Sequence, residues 1–180
     1  MPIDFTAHYF DLFSLPVSFD IDAQQLAERY RRLLSEVHPD RFASADAQSR
    51  RLSVQASAQI NQAYETLRDP LKRGFYLLEL AGMDVAPGSE TTADAEFLMA
   101  QMELRERLEA LAGEDDPLAA ADALREELTA AREALFDRFR AHYAAGELAA
   151  ARDDLTRLQF YERMAAQLDD IEARLEDELL

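Results

Sequence analysis

The clearest pattern of apolar and polar positions lies between Leu26 and Phe42, in LAERYRRLLSEVHPDRF. Leu26, Tyr30, Leu33, Leu34 and Val37 fall at i, i+4, i+7, i+8 and i+11, which makes one apolar stripe along a helix. Arg29, Arg31 and Arg32 leave that stripe and are expected to face solvent as a basic surface. Pro39 biases the residue before it out of the helical region, so the helix should stop near Val37 or His38. His38, Pro39, Asp40 and Arg41 then form a short, stiffened loop that displays an imidazole, a carboxylate and a guanidinium.

Upstream, HYFDLFSL (residues 8–15) offers Phe10, Phe13 and Leu15 for packing and ends at Pro16. Asp22 with Gln25 has the spacing of a capping box and opens the helix just described. A second long helix is expected from about Ala47 to Arg68, with Leu52, Ala56, Ile60, Ala63, Tyr64 and Leu67 as its apolar face. Asp69-Pro70 interrupts it and starts a shorter helix that runs to Gly82, a suitable residue just past a helix end. The two long helices should pair as an antiparallel hairpin, with Phe10 and Phe13 closing its open side.

Residues 83–91, MDVAPGSET, lack periodicity and mark a linker between a first domain at 1–82 and a second at 92–180. Three further helices are expected, at 92–112, 117–145 and 147–179, with Asp116-Pro117 as a strong start signal for the middle one. Short connections make them an antiparallel three-helix bundle, so the fold class is all-α throughout.

The first bundle helix carries more apolar residues than one seam needs. Phe97, Gln101, Leu104, Leu108 and Leu111 recur at 4, 3, 4 and 3 within an arc of roughly 80°. Leu98, Met102 and Met99 sit about 100°, 140° and 200° from Phe97, beside Arg105, Glu106 and Glu109. An apolar patch rimmed by charge reads as a partner surface, with methionines that adapt to what they touch. On the last helix the stripe runs through Leu148, Ala151, Leu155, Leu158, Ala165, Leu168 and Ile171. Phe160 lies about 200° from Leu158, which makes it a candidate anchor beside that patch.

Composition narrows the function classes. The 180 residues are 48% hydrophobic and 31% charged, with few Gly and Pro, which suits helix. The net charge of −17 argues against nucleic acid or an anionic membrane as partner. Residues 1–80 carry 9 basic and 11 acidic side chains, against 10 and 25 in residues 81–180, so two regions with different electrostatic tasks are expected. There is no cysteine, which removes disulfides, thiolate zinc sites and a cysteine nucleophile. The first 13 residues have two acids and no basic side chain, unlike a signal or transit peptide, and a cytoplasmic setting is expected. His8, His38 and His142 have no partner at metal-ligand spacing, and no phosphate loop, nucleophile elbow or triad appears. Neither an enzyme nor a cofactor or metal site is expected.

YRRLLSEVHPDRF followed by INQAYETLRDPLKR resembles a J domain over the first 75 or so residues. YLLELAG, FLMAQMELRERL and LTRLQFYERM extend the resemblance to the HscB family, J-protein co-chaperones of iron–sulfur cluster assembly, over essentially the whole chain. The resemblance implies that Arg29, Arg32, His38, Pro39, Asp40 and Arg41 contact the ATPase of an HscA-type, DnaK-related chaperone and stimulate it. It also implies that Leu98, Met99, Met102, Glu103, Arg105, Glu106 and Phe160 bind an IscU-type scaffold as client. Arg41 stands where lysine is common, and Ala110 where an acidic residue can add to the client face. The alternatives are a general J-domain co-chaperone with other clients, and a helical scaffold in which Pro39 merely stops a helix.

Overall fold

The structure, a computed structural model, describes residues 7–38, 41, 46–85 and 94–178. All regular structure among them is helical. The chain divides into two compact units, Met1–Gly82 and Met83–Leu180.

In the first unit α1 is a single turn (Tyr9–Leu12), followed by α2 (Ala23–Val37), α3 (Ala47–Arg68) and α4 (Pro70–Leu80). Asp22 caps α2 by accepting from the amides of Gln24 and Gln25, at 2.9 and 3.0 Å. Asp46 caps α3 through the amide and hydroxyl of Ser49, at 2.9 and 2.7 Å. α2 and α3 pair as the expected antiparallel hairpin. The Tyr30 and Tyr64 rings stack at 4.0 Å, and the Tyr30 hydroxyl donates to Asn61 Oδ1 at 3.0 Å. Nearer the loop, the Ser57 hydroxyl donates to the Val37 carbonyl at 3.4 Å. Phe10, Phe13 and Leu15 are buried, in agreement with their role as the third element that a two-helix hairpin needs.

One core expectation fails. Leu52 is exposed and Ser53 is buried in its place. The inner face of α3 runs Ser53, Ala56, Ile60, Ala63 and Leu67, an alternation of three and four, and Leu52 lies about 100° away from Ser53. α4 begins with Pro70, and Asp69 caps it through the amides of Leu71 and Lys72, at 2.9 and 3.1 Å. Its Tyr76 stacks on Tyr9 at 4.5 Å and accepts the Tyr9 amide at 2.9 Å, which ties α4 to α1.

The second unit comprises α5 (Ala95–Ala110), a 3-10 turn at Leu111–Gly113, α6 (Pro117–Ala144) and α7 (Leu148–Glu178). Phe97, Leu104, Leu108 and Leu111 pack with Ala121, Leu124 and Leu128 of α6 and with Phe160, Met164 and Leu168 of α7. Arg107 grips Glu127 with two bonds, at 3.0 and 2.8 Å, joining α5 to α6. Arg132–Glu162, at 2.6 Å, and Arg125 with Asp169 and Glu172 join α6 to α7. Asp154 is 0% exposed within the apolar stripe of α7, and α6 supplies its partners: Arg138 Nη2 lies 2.9 Å and His142 Nδ1 2.6 Å from its carboxylate. Removing one partner of such a group leaves a buried charge, so the cluster locks the α6–α7 register.

The α6–α7 turn depends on a glycine. Gly146 has φ +75, its amide donates to the Tyr143 carbonyl at 3.1 Å, and the Glu147 amide donates to that of His142 at 2.9 Å. These two bonds make a Schellman motif, which requires the left-handed conformation at Gly146. Gly146→Ala should therefore cost about 1–2 kcal/mol, read as a lower urea midpoint at unchanged slope.

Asp94 caps α5 by accepting from the amides of Glu96 and Phe97, at 3.0 and 3.2 Å, and from Arg157 Nη2 of α7 at 2.5 Å. The backbone bond from Phe97, then the bond from Arg157, hold the Asp94 carboxyl below its ordinary range. A depressed folded-state pKa gives stabilisation that is fully present above the unfolded value, about 3.9 for aspartate, and is lost as pH falls through the folded value. Amide exchange across residues 95–102 should accelerate below about pH 4 beyond the intrinsic pH effect. Asp94→Asn, which keeps a capping oxygen that does not titrate, should lack that acid-dependent part.

Candidate functional site

The residues singled out from the sequence fall into two groups, one in each unit. In the first, α2 ends at Val37 and His38 is its C-cap, with φ −53 and ψ 128, outside the helical region as Pro39 requires. His38 is exposed. The Arg41 amide donates to the His38 carbonyl at 3.0 Å, and Arg41 Nη1 donates to the Ser35 carbonyl at 3.0 Å. Arg41 thus satisfies a carbonyl of the last turn of α2 and sets a cation at the negative end of the helix dipole. Pro39 and Asp40 lie outside the described residues.

Arg31 and Arg32 are exposed, as expected of the basic surface. Arg29 is not. Its Nη1 donates to the Phe13 carbonyl at 2.6 Å and also to the Ser14 carbonyl. The chain reverses there with Ser14 at φ 52, just past the end of α1, and the carbonyls of Phe13 and Ser14 both point to α2. A guanidinium from α2 is the donor that meets them, so Arg29 holds the packing segment in place.

In the second unit the angular reading of α5 agrees with the structure. Phe97, Leu104 and Leu108 are buried, while Leu98, Met99 and Met102 are 43%, 72% and 61% exposed. Glu103, Arg105 and Glu106 are exposed on the same helix. Each of these side chains forgoes part of the roughly 1.5–3 kcal/mol that full burial would contribute, so the bundle core gains little from their being apolar.

Phe160 corrects the sequence reading. It is 2% exposed, packed edge-to-face on Phe97 with ring centroids 5.7 Å apart, and the Arg105 guanidinium lies 5.8 Å above its ring. α7 touches α6 along one arc and α5 along another, so a residue 200° from Leu158 is still interior. Phe160 therefore supports the patch from beneath. Sequence reasoning also missed Arg157, whose guanidinium sits 4.9 Å from the centroid of the Phe97 ring while bonding Asp94. Its partners are 60 or more residues away in the chain, and no local pattern announces them.

Among the described residues, no group of three or more His, Asp or Glu side chains is placed to hold a metal ion. Among the same described residues, no helix is long and apolar enough to cross a membrane.

Comparison with known proteins covers both units. Residues 9–76 match the DnaJ domain, and residues 93–169 match the family described as the HSCB C-terminal oligomerisation domain. A Vibrio cholerae protein named co-chaperone protein HscB homolog is 40% identical over 173 residues, which is 96% of this chain and 99% of that one. The solved structure of chaperone HscB from Vibrio cholerae aligns with a TM-score of 0.85 at 39% identity, covering 97% of this chain and 100% of the other. That of human co-chaperone protein HscB aligns at 0.87 and 28% identity, covering 96% and 85%. A J-domain hairpin in one unit and an HscB-type helical bundle in the other, matched over nearly the full length, place this chain in the HscB family of co-chaperones.

Proposed function

We propose that this protein binds an IscU-type iron–sulfur scaffold on the outer face of α5 and delivers it to an HscA-type, DnaK-related chaperone. Its J domain stimulates that chaperone's ATPase, and the chain itself performs no catalysis. The observation that carries the reading is the exposed trio Leu98, Met99 and Met102, apolar on a face that the bundle does not use. Membership of the HscB family makes a chaperone the second partner.

In this reading His38, Pro39 and Asp40 engage the chaperone, and Arg32 and Arg41 complement its acidic surface. Arg29 contributes by bracing the segment that packs under the hairpin. On the client side Leu98, Met99 and Met102 make the apolar contact, while Glu103, Arg105 and Glu106 set register at the rim. Joining both sites in one chain turns the second encounter into an intramolecular one and raises the local concentration of client at the chaperone.

His38→Gln should abolish stimulation of the chaperone's steady-state ATPase and leave scaffold affinity unchanged. Intact stimulation would refute the J-domain assignment. Met99→Ala and Met102→Ala should each weaken scaffold binding by about 1–3 kcal/mol in calorimetric titration, with folding unaffected because both side chains face water. Unchanged affinity in both would leave a J-domain co-chaperone serving another client.

A further inference from the structure

The Arg157–Asp94 contact does more than join two charged residues. Asp94 is the N-cap of α5, with Oδ1 held by the amides of Glu96 and Phe97 and Oδ2 by Arg157. The same guanidinium covers the Phe97 ring at 4.9 Å, and that ring stands edge-on to Phe160 at 5.7 Å. One side chain of α7 therefore grips both the cap of α5 and its first buried residue. The other end of α5 is tied to α6 by Arg107 and Glu127. Leu98 and Met99 follow Phe97 directly, so whatever fixes the first turn of α5 fixes where these two side chains stand.

We infer that Arg157 and Asp94 are positioning residues for the α5 face, clamping its first turn onto α7 so that Leu98 and Met99 are presented in one arrangement. The inference rests on the client-binding reading for its consequence and on the structure of the clamp for its mechanism. In this inference both residues act through α5 and not by direct contact with the client. Without the clamp the first turn frays, because a helix terminus without its cap and tertiary anchor opens readily. A frayed turn must be re-ordered on binding, which lowers affinity with no loss of contact area.

The test uses the full chain and two readouts. Arg157→Gln removes the charge, Asp94→Asn keeps a capping oxygen and loses the ion pair, and Arg157→Lys keeps the charge without the planar stack. Amide exchange in residues 95–102 should rise about two- to fivefold in Arg157→Gln and Asp94→Asn, the range expected for a partly exposed charged contact. The rise should be smaller in Arg157→Lys, and exchange around Leu124 and Leu128 of α6 should not change. IscU-type scaffold affinity should fall in the same order as the exchange rises, and the double variant should lose no more than the worse single one. Unchanged exchange in both charge-removing variants overturns the clamp. Faster exchange with unchanged affinity, while Met99→Ala and Met102→Ala weaken binding, overturns the positioning role. A wild-type chain that binds no scaffold refutes the client reading instead, and the exchange data then judge the clamp alone.

Discussion

Everything in the second unit follows from the demand placed on α5, a helix of four and a half turns with two apolar faces. Its inner face must bury Phe97, Leu104 and Leu108 against α6 and α7. Its outer face keeps Leu98, Met99 and Met102 in water. Were the helix free to roll, burying the outer residues would compete with the seam. The Phe97–Phe160 edge-to-face contact sets the rotation, and the ion pairs at the two ends, Arg157–Asp94 and Arg107–Glu127, hold it. Both pairs are partly exposed, so each adds only modestly to stability, and the buried aromatic contact carries most of the orientation.

The first unit solves a different problem, that of presenting a short loop on a rigid support. Tyr30 on Tyr64 and Tyr30 to Asn61 fix α2 against α3, and Arg41 closes the end of α2 from the loop side. Charge is divided accordingly. Most of the net negative charge lies beyond residue 80, while Arg31 and Arg32 are exposed on α2. A basic helix in an acidic protein steers an acidic partner to that helix.

Much of this was legible in the residue pattern. Helix ends were readable where their signals are local: Asp22, Asp69-Pro70, Asp116-Pro117, and the glycines at 82 and 146. The apolar trio on α5 was legible because its seam is a regular alternation of three and four, against which an extra apolar residue stands out. Failures arose wherever a helix has more than one neighbour or a side chain reaches across the chain. Phe160 looked unpartnered because one stripe was assumed for α7, which packs on two helices. Leu52 reads as core because it is apolar, although Ser53 keeps the regular spacing and is the one buried. The helical angle of Arg29 points to solvent, but its long guanidinium bends to the carbonyls of Phe13 and Ser14 after α1. Asp154 gives no local signal, since its partners Arg138 and His142 lie on another helix.

The proposed function requires both sites in one chain. Two full-length variants, His38→Gln with an intact client face and Met99→Ala/Met102→Ala with an intact J domain, isolate that requirement when mixed in equal amounts. The steady-state ATPase of the DnaK-related chaperone is measured at a limiting concentration of the IscU-type scaffold. The mixture should stimulate no more than the sum of its components and fall well below wild type, because neither chain can raise the local concentration of client at the chaperone. Wild-type stimulation by the mixture would show that the two sites need not share a chain.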